Sequence, residues 1–270
     1  MGTTQRVNNG PNWGSISIAV TGVAKAINDL NQIDEKETSK DDEVKKDNIA
    51  KIEKKLENRK NKHILSVLDR LIKIGGGSKK ISSGKSNVIG KSGIKSSNKL
   101  AGFFYSVNNI GLEKSLSQIG FIDFKGKTTK DIIDYLINYF TDETIGMDEA
   151  AAKSAIYEVM KGIENEVDEE NNSLEDIMSS YVESDKLSEL LSVFFGKYIY
   201  EYLWERFEEK LSQKKGEKLT RETFESIQKE INSRVLLLNS NKKLSKIDWS
   251  GSEGKLEIEK IFEAIIKIEE

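Results

Sequence analysis

The chain has 270 residues, 42 basic and 45 acidic side chains, a net charge of −3 and no cysteine. That length suffices for one large domain or two modest ones and for a core that needs no staples. The absence of cysteine excludes disulfide frameworks and thiolate chemistry and points to a reducing compartment, and no apolar run approaches the roughly 20 residues of a membrane span.

Charge is unevenly spread. Leu71 to Leu112 carries seven lysines and no acid, whereas Glu143 to Leu190 carries fourteen acids against three lysines. Such runs are ordinarily solvated faces, and polarity of this kind also suits an anionic partner. Pro11 is the only proline, which fits long uninterrupted helices.

Residues 1–14 read as a flexible tail, because Asn8, Asn9, Gly10, Pro11 and Asn12 are turn formers. They show no charged region followed by an apolar stretch, so no secretory signal is expected. Residues 15–74 form an N-terminal helical segment. Ile16, Val20, Val23, Ala24, Ile27 and Leu30 predict a first helix over 15–33. Residues 34–48 mix Asp, Glu and Lys and read as a charged linker. Ile64, Val67, Leu68, Leu71 and Ile72 give the stripe of a second helix, from about 48 to 74.

Gly75, Gly76 and Gly77 end that helix. Residues 75–97, rich in Gly, Ser and Lys, are expected to form a basic, weakly ordered loop, since they offer little apolar surface to bury. The main domain, 98–270, is helical throughout. Helices are predicted from Ser97 to Val107, from Gly111 to Gln118, after Thr128 or Thr129, and from Met147. The longest is expected to be capped by Ser184, with a stripe of Leu187, Leu190, Leu191, Phe194, Phe195, Tyr198 and Tyr202. Two more span Thr220–Leu238 and Lys255–Ile268. No segment alternates long enough for a sheet. The fold class is all-α, a helical bundle-like body with a flexible N-terminal tail and a Gly/Ser/Lys-rich loop.

The residues offer little to chemistry. Gly-Lys-Ser occurs at 84–86 and 90–92, but a phosphate-binding loop needs another glycine five positions earlier, where Lys79 and Lys85 stand. His63, the one histidine, cannot build a zinc site without cysteines, and a solvent-facing or helix-edge role is expected of it. Asp148 and Glu149 suit the positive end of the helix they open. No nucleophile, base and orienting group assemble, so neither an active site, a metal nor a cofactor is expected. Lys79, Lys80, Lys85, Lys91, Lys95 and Lys99 could contact a phosphate backbone, which keeps a nucleic-acid sensor or scaffold subunit open as an alternative.

The N-terminus begins Met1-Gly2. The myristoylation pattern fails at Arg6. Processing before a small residue would leave a glycine amine of pKa about 7.7–8.0, partly neutral at pH 7 and nucleophilic toward an activated acyl group. Three features carry a resemblance: Met1-Gly2-Thr3-Thr4 with Gly10-Pro11, the Gly/Ser-rich basic stretch from Gly75 to Gly102, and the block Met147-Asp148-Glu149-Ala150-Ala151-Ala152. In these the chain resembles the QatB component of the bacterial Qat anti-phage defence system, departing from it in its scarcity of proline and arginine. The resemblance implies an antiviral role beside a QueC-like enzyme (QatC), an ATPase and a TatD-like nuclease, in the bacterial cytoplasm. It further implies that Gly2 accepts a 7-deazaguanine acyl group from QatC. Thr3, Thr4, Gly10, Pro11 and Trp13 would then contact that partner, with Trp13 anchoring the base of the tail.

Overall fold

The computed structural model describes residues 11–37, 43–122, 126–143, 146–170, 172–184, 186–240 and 247–267. Among these it contains eleven helices and no strand, so the protein is all-α. In chain order they are α1 (Gly14–Glu37), α2 (Glu43–Ile74), α3 (Ser78–Ser82), α4 (Lys91–Ile110), α5 (Leu112–Gln118) and α6 (Thr129–Phe140). Then come α7 (Met147–Glu170), α8 (Leu174–Glu183), α9 (Leu187–Lys215), α10 (Glu217–Ser240) and α11 (Ser252–Ile266).

The centre is α9. Its apolar residues do not keep to one stripe: Leu187, Leu190, Leu191, Phe194, Phe195, Tyr198, Ile199, Tyr202 and Leu203 are all buried. A helix apolar nearly all round must be enclosed, and α7, α10, α11, α4 and α1 pack around it. Phe195 stacks on Phe262 of α11 with ring centroids 4.3 Å apart, and Phe194 meets Phe195 edge-on at 5.1 Å. Each such pair contributes about 0.5–1.5 kcal/mol beyond simple burial. Gly196 brings α10 close, since a Cβ there would lie 3.0 Å from Val235.

α1 and α2 pack mainly on each other and reach the body through α1 against α10 and α9 and, less extensively, through α2 against α10. Both run into the segment expected to be a linker, α1 to Glu37 and α2 from Glu43. Residues 34–48 contain neither glycine nor proline, and Glu and Lys favour helix; residues 38–42 lie outside the described part.

Other boundaries also moved. Ser184 does not start α9. It is the C-cap of α8, its hydroxyl donating to the Ser180 carbonyl, and Lys186 precedes α9. α8 itself was not anticipated, although Ser173 and Asp176 form a reciprocal capping box at its start. Thr128 does cap α6, again reciprocally with Asp131.

The largest correction concerns residues 75–97. Only their middle is a loop. α3 lies within them and α4 begins at Lys91. Ile81, Ser82, Ser86, Ile89, Gly90, Ser92, Gly93, Ser96 and Ser97 are buried. Small residues bury little area each, but they let backbones approach, and that close approach orders the segment. No described helix is long and apolar enough to cross a membrane.

Candidate docking face at Trp13 and the glycine, serine and lysine segment

Trp13 sits at the root of the N-terminal segment. Its amide donates to the Pro11 carbonyl at 2.9 Å, and its own carbonyl accepts from Ser17 at 3.0 Å as α1 begins. The indole is half-buried against α9, 6.2 Å from the rings of both Tyr202 and Phe207. The Arg206 guanidinium lies over it at 4.4 Å, within the range of a cation–π contact. Arg206 also approaches the Met147 sulfur at 3.5 Å. Trp13 is thus fixed to the body of its own chain. Pro11 is exposed, while Gly2, Thr3, Thr4 and Gly10 lie outside the described residues.

The glycine triplet ends α2 as expected: the Gly75 amide donates to Leu71 and that of Gly77 to Ile72, both at 2.9 Å. The chain then folds tightly. The Gly84 amide donates to Ile81 and that of Lys85 to Lys80, each at 3.0 Å. Gly90 adopts φ 113° with Ile81 behind it, and a Cβ there would lie 2.3 Å from the Ile81 carbonyl oxygen. Only glycine meets both demands.

Two side chains of the body hold this turn. Tyr202, on whose ring Trp13 packs, donates its hydroxyl to the Val88 carbonyl at 2.7 Å. Asp148 accepts from the Gly90 amide at 3.0 Å through Oδ1 and from the Ser92 amide at 2.8 Å through Oδ2. The Tyr198 hydroxyl donates to the same carboxylate and lies 2.7 Å from the Gly90 amide nitrogen. Burial, and then the Asp148 charge beside it, push the Tyr198 hydroxyl well above its ordinary range, so it stays neutral and a donor. The same two causes raise Tyr202.

Asp148 does stand in the first turn of α7, as its sequence position suggested. Its carboxylate, however, serves α4. An internal anion occupies the amides at the start of that helix, where a phosphate would have to bind. The second Gly-Lys-Ser therefore fails as a phosphate cradle in space as well as in spacing.

The six lysines divide. Lys95 and Lys99 pair with Asp142 at 2.6 and 3.5 Å, and Lys99 also donates to the Tyr139 carbonyl at 2.7 Å. The Lys95 ammonium is the chief cause holding the Asp142 carboxyl below the usual carboxylate range. Lys79, Lys80, Lys85 and Lys91 are exposed, and no described carboxylate pairs with them. The Lys80–Lys85 backbone bond and the approach of Gly84 to the Lys91 backbone, 3.6 Å from a Cβ built on Gly84, bring the backbones of Lys80, Lys85 and Lys91 together in one turn.

His63 lies elsewhere, packed on Gly22 of α1, where a Cβ would come within 2.6 Å of its ring. Desolvation, followed by Arg59, Arg70 and Lys62, lowers its pKa. Among the described residues no group of three or more His, Cys, Asp or Glu could hold a metal ion.

Sequence reasoning missed the Asp148–Tyr198 pair, because Gly90 is 58 residues from Asp148 and 108 from Tyr198. No local pattern signals such contacts. A family model described as QatB, Qat anti-phage system associated protein QatB, matches residues 76–268. That span takes in α3 to α11 and begins inside the glycine triplet, leaving α1 and α2 before it. No curated protein and no solved structure matches the chain.

Proposed function

Because the chain belongs to the QatB family of proteins associated with the Qat anti-phage system, we propose that it acts in that defence as a non-catalytic acceptor protein of the bacterial cytoplasm. It binds a QueC-like enzyme, QatC, and offers the amine of Gly2 for conjugation. The ATPase and TatD-like nuclease of the system are its further partners.

The chemistry asks little of this chain. QatC activates the carboxylate of a 7-deazaguanine as an acyl adenylate. The neutral Gly2 amine attacks the acyl carbon, the bond from that carbon to the adenylate oxygen breaks, AMP leaves, and the amine proton passes to solvent or to the enzyme. An acceptor without a side chain enters a narrow site with the least hindrance.

The observation that supports this reading is the fixed Trp13. Arg206, Tyr202 and Phe207 tie the base of the N-terminal segment to the helical body. A partner that grips the body thereby also locates the residues that precede Trp13.

The test is the intact mass of the protein expressed with and without QatC in cells that make deazaguanine. A QatC-dependent adduct of the amide-linked base, mapped to the Gly2 peptide, is expected. An unchanged mass beside demonstrably active QatC would sink the reading.

A further inference from the structure

We propose that Lys80, Lys85 and Lys91 form the surface on which the acyl-transferring partner docks, and that this partner carries an acidic rim beside the opening that admits the N-terminal segment. The inference rests on the acceptor reading above and names the surface it uses.

Three observations meet here. The first is that these lysines are exposed and unpaired by any described carboxylate, whereas Lys95 and Lys99 of the same run are taken up by Asp142. The second is that the turn beneath them is rigid. Asp148 holds both the Gly90 and the Ser92 amides, and Tyr202 holds the Val88 carbonyl. Charges on a fixed frame lose less freedom on binding than charges on a mobile loop.

The third is position. A single side chain, Tyr202, touches the turn with its hydroxyl and Trp13 with its ring. One side chain therefore links the turn that carries these lysines to the point from which the acceptor segment departs. Gly2 stands eleven positions before Trp13, a stretch that at full extension reaches roughly 36–40 Å. A partner seated on the patch lies well inside that radius.

The patch suits a protein better than a nucleic acid. Sequence-independent affinity for DNA comes from many phosphate contacts, about 6–10 for a salt-sensitive binder. Three clustered lysines, or four with Lys79, fall short of that number. Tyr198 and Tyr202 near the turn are buried, and the half-buried Trp13 carries the Arg206 guanidinium over its ring, so they give no open stacking platform. A few charges on a rigid turn match instead the role of steering and orienting a protein of opposite sign.

The experiment measures binding of full-length protein to purified QatC across a salt series, for wild type and for the triple variant Lys80→Glu, Lys85→Glu, Lys91→Glu. Lys229→Glu with Lys255→Glu, exposed lysines on α10 and α11, serves as the charge control. A loss of tenfold or more at low salt, with a flattened salt dependence, is expected for the triple variant alone. Saturating QatC should still bring its Gly2 adduct to completion, which shows that the variant is folded and competent. A triple variant within twofold of wild type overturns the docking surface while leaving the acceptor reading intact. Tight wild-type binding without an adduct overturns the acceptor reading and spares the surface. Wild type that forms no complex overturns both. Retention of DNA or RNA that vanishes in the triple variant would reassign the patch to nucleic acid.

Discussion

Gly93 lies flat against the ring of Tyr198: a Cβ built on it would stand 2.4 Å from Cε1 and 2.8 Å from Cζ. The ring has no room to retreat, with Phe194 stacked beside it at 6.1 Å and Phe262 edge-on at 5.8 Å. Gly93→Ala should therefore destabilise the protein by about 1–3 kcal/mol, as overpacking of a filled core does. The midpoint of urea unfolding would fall. An unmoved midpoint would mean that α4 can lift from α9 at little cost.

Asp148 should prove the more sensitive partner of the Tyr198 pair. Asn at this position turns one oxygen into a donor that faces a donor, and with the amide nitrogen at the Oδ2 position the Ser92 amide becomes an orphan. The loss should be about 2–4 kcal/mol. Tyr198→Phe, which removes one charge-assisted bond, should cost about 1–2 kcal/mol. The double variant should cost less than the two added together, because one contact is counted in both. Strict additivity in a denaturant cycle would contradict the shared contact.

His63 makes the α1–α2 interface responsive to acid. Its folded pKa lies below the ordinary 6.5, through desolvation first and then through Arg59, Arg70 and Lys62. The folded state therefore binds fewer protons than the unfolded one. Stability is complete above pH 6.5 and falls as pH drops below it through the folded value. Thermal midpoints between pH 8 and pH 5 should decline more for wild type than for His63→Gln. Parallel curves would remove His63 as the cause.

Trp13 is predicted to matter for stability before any partner is considered. Trp13→Ala should cost about 1–3 kcal/mol through lost aromatic and cation–π contact. Arg206→Ala should cost less, and the two should not add. Trp13→Phe should recover most of the loss. Thermal denaturation reads all three, and a Trp13→Ala protein as stable as wild type would place the indole in solvent.

Much of this architecture can be read from apolar spacing. The stripes of α1 and α2 appear in the sequence as they do in space, and Thr128, one of the two caps the sequence offered, starts α6. What escapes is burial by small residues. Counting leucines makes Ser92, Gly93, Ser96 and Ser97 look like loop, yet their smallness is what seats α4 on α9. α8 escaped for a different reason: its Ser173–Asp176 box was legible, but it stands within the acidic run from Glu143 to Leu190, which reads as a solvated face. The lysines were found as a run, and only the fold separates those that Asp142 neutralises from those left facing outward. The Asp148 latch rests on contacts 56 to 58 residues apart, which no short window can reveal.

The anchoring of Trp13 has a consequence for competition between acceptors. Whatever path residues 2–10 take, Gly2 cannot leave a sphere of roughly 36–40 Å about that indole. One amine in such a volume amounts to several millimolar, on the order of the effective concentrations set by short tethers. Under the proposed acceptor role, a partner held on this body would meet Gly2 at a concentration that unrelated N-termini in the cell would have to match individually. Selectivity would then reside in docking, and an N-terminus serving as acceptor would need no chemical distinction of its own.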